Sequence, residues 1–194
     1  MSIVLQGSTS GSVTLQEPAI AGTTVLTLPA VSGTVLTTGS SGQSIPKAAL
    51  PTGSVLQVVQ TVYTTQTSLN STSYTDISGF SASITPTSAT SKILVMVSAN
   101  VSHSTPTGGY LALLRGSTNI TSPNGFWFYA GNANTNYGGM AAIINLLDSP
   151  ATTSSTTYKM QWKCDNANPI YINRSEANAG LSGISCMTLL EIAA

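Results

Sequence analysis

The sequence predicts an all-β protein, in which an extended N-terminal β-repeat segment precedes an antiparallel jelly-roll sandwich. Short segments rich in Val, Ile, Thr and aromatic residues recur at intervals of about 8 to 15 residues, and clusters of Gly, Pro, Asn and Ser separate them. No long segment shows the 3.6-residue period of an amphipathic helix. These two observations favour strands and turns throughout.

The first 50 residues form a segment of their own. They contain no aromatic residue, and their only charged residues are Glu17 and Lys47. Residues 11–21 and 22–32 align at a spacing of eleven, and residue 33 starts a third copy. Each copy is a short β-branched strand closed by Pro and Gly, too small to bury its apolar face alone. We therefore expect residues 1–50 to attach to neighbouring chains; the alternative is a Ser/Thr-rich linker.

Residues 51–194 are expected to form one jelly-roll domain of eight to ten strands, preceded by a single helical turn at 46–51. The first strand is apolar on both faces and is expected to be partly covered on both. Around residue 160 a two-residue period puts Tyr158, Met160, Trp162 and Cys164 on one face. The predicted strands are 55–63, 74–77, 80–85, 91–103, 110–115, 126–130, 140–147, 156–164, 169–173 and 183–192.

Charge is scarce, and this excludes several classes of function. Only 6% of the residues are charged, with six basic and six acidic side chains and a net charge of zero. Ordinary domains carry about 25%. There is no basic cluster for a nucleic-acid backbone and no apolar run of about 18 residues for a membrane helix. The N-terminus lacks the pattern of a signal peptide. We therefore expect no nucleic-acid partner and no membrane insertion.

Candidate chemistry is equally sparse. The residue types of a Ser/His/Asp catalytic triad are present in Ser102, His103 and Asp76, but no Gly-x-Ser-x-Gly motif accompanies them. Glycoside hydrolysis needs two carboxyl groups about 5 to 9 Å apart, and four acids are the candidates for such a pair: Asp148, Asp165, Glu176 and Glu191. One His and two Cys do not form a metal-ligand set. We expect no enzyme activity, no catalytic residue, no metal and no cofactor.

The two cysteines leave two interpretations open. Cys164 shares its predicted face with Met160 and Trp162, which favours a buried and inert thiol. A disulfide from Cys164 to Cys186 on a neighbouring strand is the alternative.

The stretch 124–139 concentrates aromatic and amide side chains. Aromatic faces stack on sugar rings, and amides both donate and accept hydrogen bonds, so this stretch is a candidate receptor-reading loop. The alternative is a core or subunit-interface strand followed by an Asn/Gly turn. The candidate receptor-binding residues are Trp127, Tyr129, Asn132, Asn134, Asn136 and Tyr137.

Two parts of the sequence resemble structural proteins of tailed bacteriophages. Residues 11–39, GSVTLQEPAIAGTTVLTLPAVSGTVLTTG, resemble the N-terminal part of phage fibre and neck-appendage proteins. Residues 53–120 resemble the start of a C-terminal domain common in phage fibres, through GSVLQVVQT, TSYTDI, SITPTSATSKILVMVSANV and LLRGSTNI. The resemblance implies a homotrimeric virion appendage, made in the host cytoplasm, with a TNF-like jelly-roll knob.

In such an appendage, residues 1–50 would bind other virion proteins, and the knob would contact a glycan or receptor on the host surface. Low charge density and exposed strand edges independently favour association with other subunits. A head decoration protein (capsid fibre) uses the same two-part design and stays open as an alternative. A free glycan-binding, lectin-like protein is a further alternative.

Overall fold

The structure, a computed structural model, describes residues 3–6, 8–15, 30, 45, 47–103, 108–121, 124–129, 139–175, 180 and 182–194. The chain divides into two units, Met1–Ser44 and Ile45–Ala194. In the first unit, β1 (Ile3–Gln6) pairs with β2 (Ser12–Leu15) in an antiparallel hairpin. The second and third copies of the predicted repeat lie almost wholly outside the described residues, so the attachment role of residues 1–50 stays a prediction.

The second unit is built from strands. A short 3-10 helix (Lys47–Ala49) comes first, within the predicted helical turn. The strands of the described residues are β3 (Val55–Tyr63), β4 (Thr67–Leu69), β5 (Thr75–Ile84), β6 (Lys92–His103), β7 (Gly108–Arg115), β8 (Thr118–Asn119), β9 (Phe126–Tyr129), β10 (Met140–Asp148), β11 (Thr156–Cys164), β12 (Ile170–Ile172) and β13 (Ser185–Ile192).

These strands form two antiparallel sheets that enclose one core. The first sheet has the order β3-β13-β6-β12-β4, and β10 pairs with the other edge of β6. The second sheet has the order β5-β11-β7-β8, and β9 also pairs with β7. The fold is therefore all-β and an antiparallel sandwich, which confirms the fold class predicted from the sequence.

Alternation in β11 is confirmed and shows how the core is filled. Tyr158, Met160, Trp162 and Cys164 are buried, whereas the lysines and Gln161 between them are partly exposed. The buried side chains pack against the inward residues of β6, such as Val95 and Val97. Nearly complete burial of such side chains stabilises the fold by about 1.5 to 3 kcal/mol each.

Two predicted strands, 74–77 and 80–85, are one bulged strand, β5. The register with β11 shifts between Lys159 and Gln161, opposite this point, and Gly79 has a φ of +85°. A bulge inserts extra residues into one strand and changes which side chains face inward. Ile77 and Phe80, three positions apart, are therefore both buried. The short strands β4 and β8 were not predicted.

The partial cover that we expect on both faces of β3 is uneven in the single chain, since the inward face is covered more than the outward face. Its inward face is covered, and Tyr63 stacks on Phe80 with ring centroids 5.1 Å apart. Its outward face leaves Val58 and Val62 exposed. The apolar pattern of the strand is thus satisfied by the chain's own core on one side only.

Candidate functional site: an aromatic row on the second sheet

In the Phe-Trp-Phe-Tyr sequence of β9, Phe128 points into the core, whereas Phe126 and Trp127 are exposed. Phe128 is buried, and Trp127 exposes 53% of its surface. Phe128 lies opposite Gly109 of β7. A Cβ on Gly109 would lie 2.7 Å from Cζ of Phe128, so the glycine makes room for the buried ring. The alternative of a core strand is therefore right for Phe128, and the receptor-reading interpretation of this stretch stays a prediction.

Trp127 belongs to a row of side chains that crosses the solvent-facing side of the second sheet. It lies opposite Tyr110 of β7, and Tyr110 lies opposite Lys163 of β11. The ammonium of Lys163 is 4.6 Å from the ring centroid of Tyr110 and 4.9 Å from that of Tyr74, which precedes β5. We call Tyr74, Lys163, Tyr110 and Trp127 the aromatic row.

Tyr74 ties this row to the turn before β9. Its hydroxyl donates a hydrogen bond to the carbonyl oxygen of Asn124 at 2.8 Å. Burial raises the pKa of the Tyr74 hydroxyl, and the neighbouring Tyr110 raises it further. The hydroxyl is therefore protonated at neutral pH and stays a donor. The backbone that carries Trp127 is held in place by this bond and by the pairing of β9 with β7.

The aromatic row is suited to non-covalent contact rather than to bond-breaking chemistry. Aromatic faces bury large apolar areas and stack on the apolar faces of rings, while Tyr and Trp keep a polar group for hydrogen bonding. An ammonium held between two rings is stabilised by cation–π attraction and still carries N–H donors. A sugar, with apolar ring faces and hydroxyl edges, fits this combination.

The structure describes two of the six candidate receptor-binding residues, Trp127 and the backbone of Tyr129. Trp127 is exposed, as a contact residue must be. Tyr129 ends β9, and its side chain lies outside the description. The remaining four candidates lie outside the described residues: Asn132, Asn134, Asn136 and Tyr137.

Three members of the aromatic row were missed from the sequence: Tyr74, Tyr110 and Lys163. The alternation of β11 could have placed Lys163 on the solvent-facing side of the second sheet, because Lys163 lies between buried Trp162 and Cys164. Only the strand register brings Lys163 beside Tyr110, and sequence periodicity does not contain that register.

The three residues considered as a catalytic triad lie on different sheets. Ser102 and His103 are buried in β6 of the first sheet, and the hydroxyl of Ser102 donates to the carbonyl oxygen of Arg174 at 2.6 Å. Asp76 lies on β5 of the second sheet. Hydrogen bonds from Lys159 and Gln161 lower the pKa of Asp76. The Asp76 carboxylate therefore serves a surface ion pair.

Two of the other candidate acids, Asp148 and Glu191, lie on either side of Ile93 in the first sheet, and each carboxylate accepts its own hydrogen bonds. Asp148 accepts hydrogen bonds from Arg115 at 2.8 Å and from the Tyr158 hydroxyl at 2.7 Å. Glu191 is fully buried, Asp165 is exposed, and Glu176 lies outside the description. Across the described ranges, no three His, Cys, Asp or Glu side chains gather as a metal site.

The cysteines are free thiols on different faces. Cys164 points into the core, where its sulfur lies 3.2 Å from the carbonyl oxygen of Leu69. Its predicted burial is confirmed. Cys186 lies on β13 of the first sheet, opposite Val62 and Ser98, and it is partly exposed. The alternative of a bridge between them is wrong for this structure.

In the part of the chain that the structure describes, no helix has the length and apolar character needed to cross a membrane.

Comparisons with known proteins give no family. No protein-family model matches the chain, and no curated protein matches it. Three of the solved structures that this chain matches come from infectious bursal disease virus. The first is a VP2 subviral particle, with 13% identity over 72% of this chain and 39% of that chain and a TM-score of 0.37. The second is the structure of T=1 particles derived from the virus, with 15% identity over 79% of this chain and 40% of that chain and a TM-score of 0.36. The third is the structure of the Gx strain, with 15% identity over 80% of this chain and 42% of that chain and a TM-score of 0.36. This chain spans about two fifths of the length of each.

Proposed function

We propose that this chain is a non-enzymatic structural protein of a virus particle, a trimeric bacteriophage fibre or appendage. Residues 1–50 attach it to other virion proteins, and the β-sandwich faces outward and contacts a glycan or receptor on the host surface. The resemblance of residues 11–39 and 53–120 to phage fibres supports the virion part of the proposal. The division of the chain after Ser44 supports a two-part design.

The observation that carries the contact part is the aromatic row. Trp127 is exposed and lies beside Tyr110 and Lys163 on the outward side of the second sheet. Large exposed aromatic side chains are enriched where proteins bind partners. The acids that hydrolysis would require are instead held in structural ion pairs or hydrogen bonds, as Asp148 and Glu191 are.

The location is tested by finding the chain in particles. We expect purified virions to contain this chain in a fixed ratio to the major capsid protein, measured by quantitative mass spectrometry. A low-resolution map of the particle then shows whether the chain sits on the tail or decorates the head. Absence of the chain from every particle preparation would overturn the virion proposal.

The contact surface is tested with Trp127→Ala, compared with Thr118→Ala as a control on the same sheet. We expect Trp127→Ala to reduce adsorption to host cells at least about tenfold, because truncation of a central aromatic contact costs about 2 kcal/mol and a factor of ten corresponds to about 1.4 kcal/mol. Thr118→Ala should leave adsorption unchanged. Adsorption is measured by free-particle depletion, and trimer mass by native mass spectrometry. If Trp127→Ala abolishes the trimer, the ring belongs to a subunit interface and the contact proposal fails.

The same aromatic row would also serve a free glycan-binding protein. That alternative predicts glycan binding by residues 45–194 alone and no copurification with particles. A glycan array probed with the full chain and with residues 45–194 separates the two proposals when it is combined with the virion analysis.

A further inference from the structure

The outward side of the first sheet presents apolar side chains that the single chain leaves in contact with water. Val58, Val62, Met96, Ile143 and Leu147 expose 58%, 54%, 42%, 56% and 51% of their surface. They come from three different strands, and each alternates with inward core residues. Exposed apolar area of this kind is favourably removed from water by association.

The strand register orders this side of the sheet into rows that run across β3, β13, β6 and β10. None of the side chains in these rows is charged. We call these residues the outer face. One row is Val62, Cys186, Ser98 and Ile143; the middle row is Gln60, Thr188, Met96 and Asn145; the third row is Val58, Leu190, Leu94 and Leu147.

We propose that the outer face is the surface through which copies of this chain pack around a symmetry axis that runs along the strands. The proposal rests on the proposed trimer and identifies its contact. Rotation about such an axis leaves every row at its own height, so each row meets the same row of the neighbouring copy. The apolar rows then meet apolar rows. The amides of Gln60 and Asn145 meet amides, which both donate and accept hydrogen bonds.

The size of the outer face fits the centre of a subunit interface. Four strands about 4.8 Å apart and five residues at about 3.4 Å each give a footprint of about 330 Å². A stable interface of ordinary size buries about 800 Å² on each partner. The centre of such an interface is depleted in charge, as this face is. The chain's net charge is zero, so its copies do not repel one another.

The middle row sets the register between copies. The side-chain amide of Gln60 donates a hydrogen bond to the Thr188 hydroxyl at 2.9 Å, which orients it within the face. An amide has further donor and acceptor capacity. A shift by one row would place Gln60 and Asn145 opposite rows with more apolar side chains and would leave the remaining donor and acceptor capacity of their amides unused. Buried polar residues define the register of coiled coils in the same way.

The interface is tested with Ile143→Asp in the full chain. We expect the wild type to be a trimer by native mass spectrometry and by sedimentation, and Ile143→Asp to be a monomer. Like carboxylates at the interface weaken association at least about 100-fold. Ser83→Asp is the matched control, because it puts the same group on an exposed position of the second sheet. It should stay trimeric. Circular dichroism verifies that each variant is folded.

A second measurement compares the rates at which methionine side chains are oxidised. Met96 exposes 42% of its surface in the single chain, whereas Met160 and Met187 are fully buried. In the native assembly we expect hydrogen peroxide to oxidise Met96 as slowly as the buried pair, measured by peptide mass spectrometry. In monomeric Ile143→Asp we expect Met96 to be oxidised at least about tenfold faster.

The outcomes separate this inference from the proposed function. A trimeric Ile143→Asp, or rapid oxidation of Met96 in the wild-type trimer, would overturn the assignment of the outer face and leave the trimer intact. A wild-type monomer would overturn both the trimer and its interface. Detection of the chain in virions is independent of either result.

Discussion

At the scale of single residues, Glu191 connects the two sheets of the sandwich. It lies on β13 and is fully buried. One carboxylate oxygen accepts hydrogen bonds from the backbone N–H and the hydroxyl of Thr87, both at 2.7 Å. The other accepts one at 2.6 Å from Gln57 of β3. Thr87 follows β5, so this carboxylate holds the connection between the sheets. A buried charge is tolerated only when it is hydrogen-bonded in this way.

We expect Glu191→Gln to lower the free energy of unfolding by about 2 to 3 kcal/mol. The hydrogen bonds to a charged carboxylate are lost, and the NH2 group of the new glutamine would face the donors of Thr87 or Gln57. Urea denaturation followed by tryptophan fluorescence measures this. Asp76→Asn is the control, since that exposed ion pair is worth less than about 1 kcal/mol. Equal effects of the two substitutions would contradict the structural role of Glu191.

The same carboxylate makes stability depend on pH. Burial raises the pKa of Glu191, but hydrogen bonds from Thr87, Gln57 and Ser91 outweigh it and leave the pKa below its ordinary value of 4.5. The unfolded chain then binds a proton more readily than the folded chain. This contribution is complete above about pH 4.5 and is lost as pH falls through the lower folded pKa.

The urea midpoint should therefore be constant above about pH 5.5 and fall below about pH 4.5. The fall should be smaller in Glu191→Gln, where this group no longer titrates. Asp76 contributes a fall of the same sign, because its pKa is also lowered. If wild type and Glu191→Gln lose stability identically on acidification, Glu191 is not the responsible group.

At the scale of elements, the position of β9 depends on the turn before it. Gly125 has a φ of +64°, which L-residues rarely adopt. A Cβ there would collide with the carbonyl oxygen of Leu111 and would lie 2.9 Å from the Tyr74 hydroxyl. A side chain at residue 125 would therefore push β9 away from β7 and disturb the aromatic row.

Gly116 offers a control with nearly the same backbone and no crowding. Its φ is +59°, and nothing lies within 4 Å of an added Cβ. We expect Gly116→Ala to cost about 1 kcal/mol from the backbone alone, and Gly125→Ala about 2 to 4 kcal/mol. Chemical denaturation measures both free energies of unfolding. Equal costs would show that close approach to Leu111 and Tyr74 is not important.

At the scale of the whole molecule, the second unit contains a complete core. All buried hydrophobic residues of the described chain lie between Tyr63 and Leu189. We expect residues 45–194 to show the β-sheet circular dichroism of the full chain and a Tm within about 3 °C of it, a difference below about 1 kcal/mol. The truncated chain should also fail to enter virions. Loss of cooperative unfolding would mean that residues 1–44 are part of the fold.

The alternation of apolar and polar residues along each strand gave most of the correct predictions. It located β3, β6, β10 and β11 closely, because buried and exposed side chains alternate along each of them. It failed at β5, where a bulge places two residues three positions apart in the core, and at the short strands β4 and β8. A bulge and a two- or three-residue strand have too few residues to produce a detectable period.

The sequence by itself determined an all-β chain with little charge, the approximate limits of its main strands, the burial of Cys164 and the presence of an aromatic strand around Trp127. Only the tertiary structure decided which side chains became neighbours. Tyr74 and Lys163 are far apart in the chain, and the apolar residues of the outer face come from four strands. Strand order and register bring them together, and these depend on long-range pairing that local periodicity does not specify.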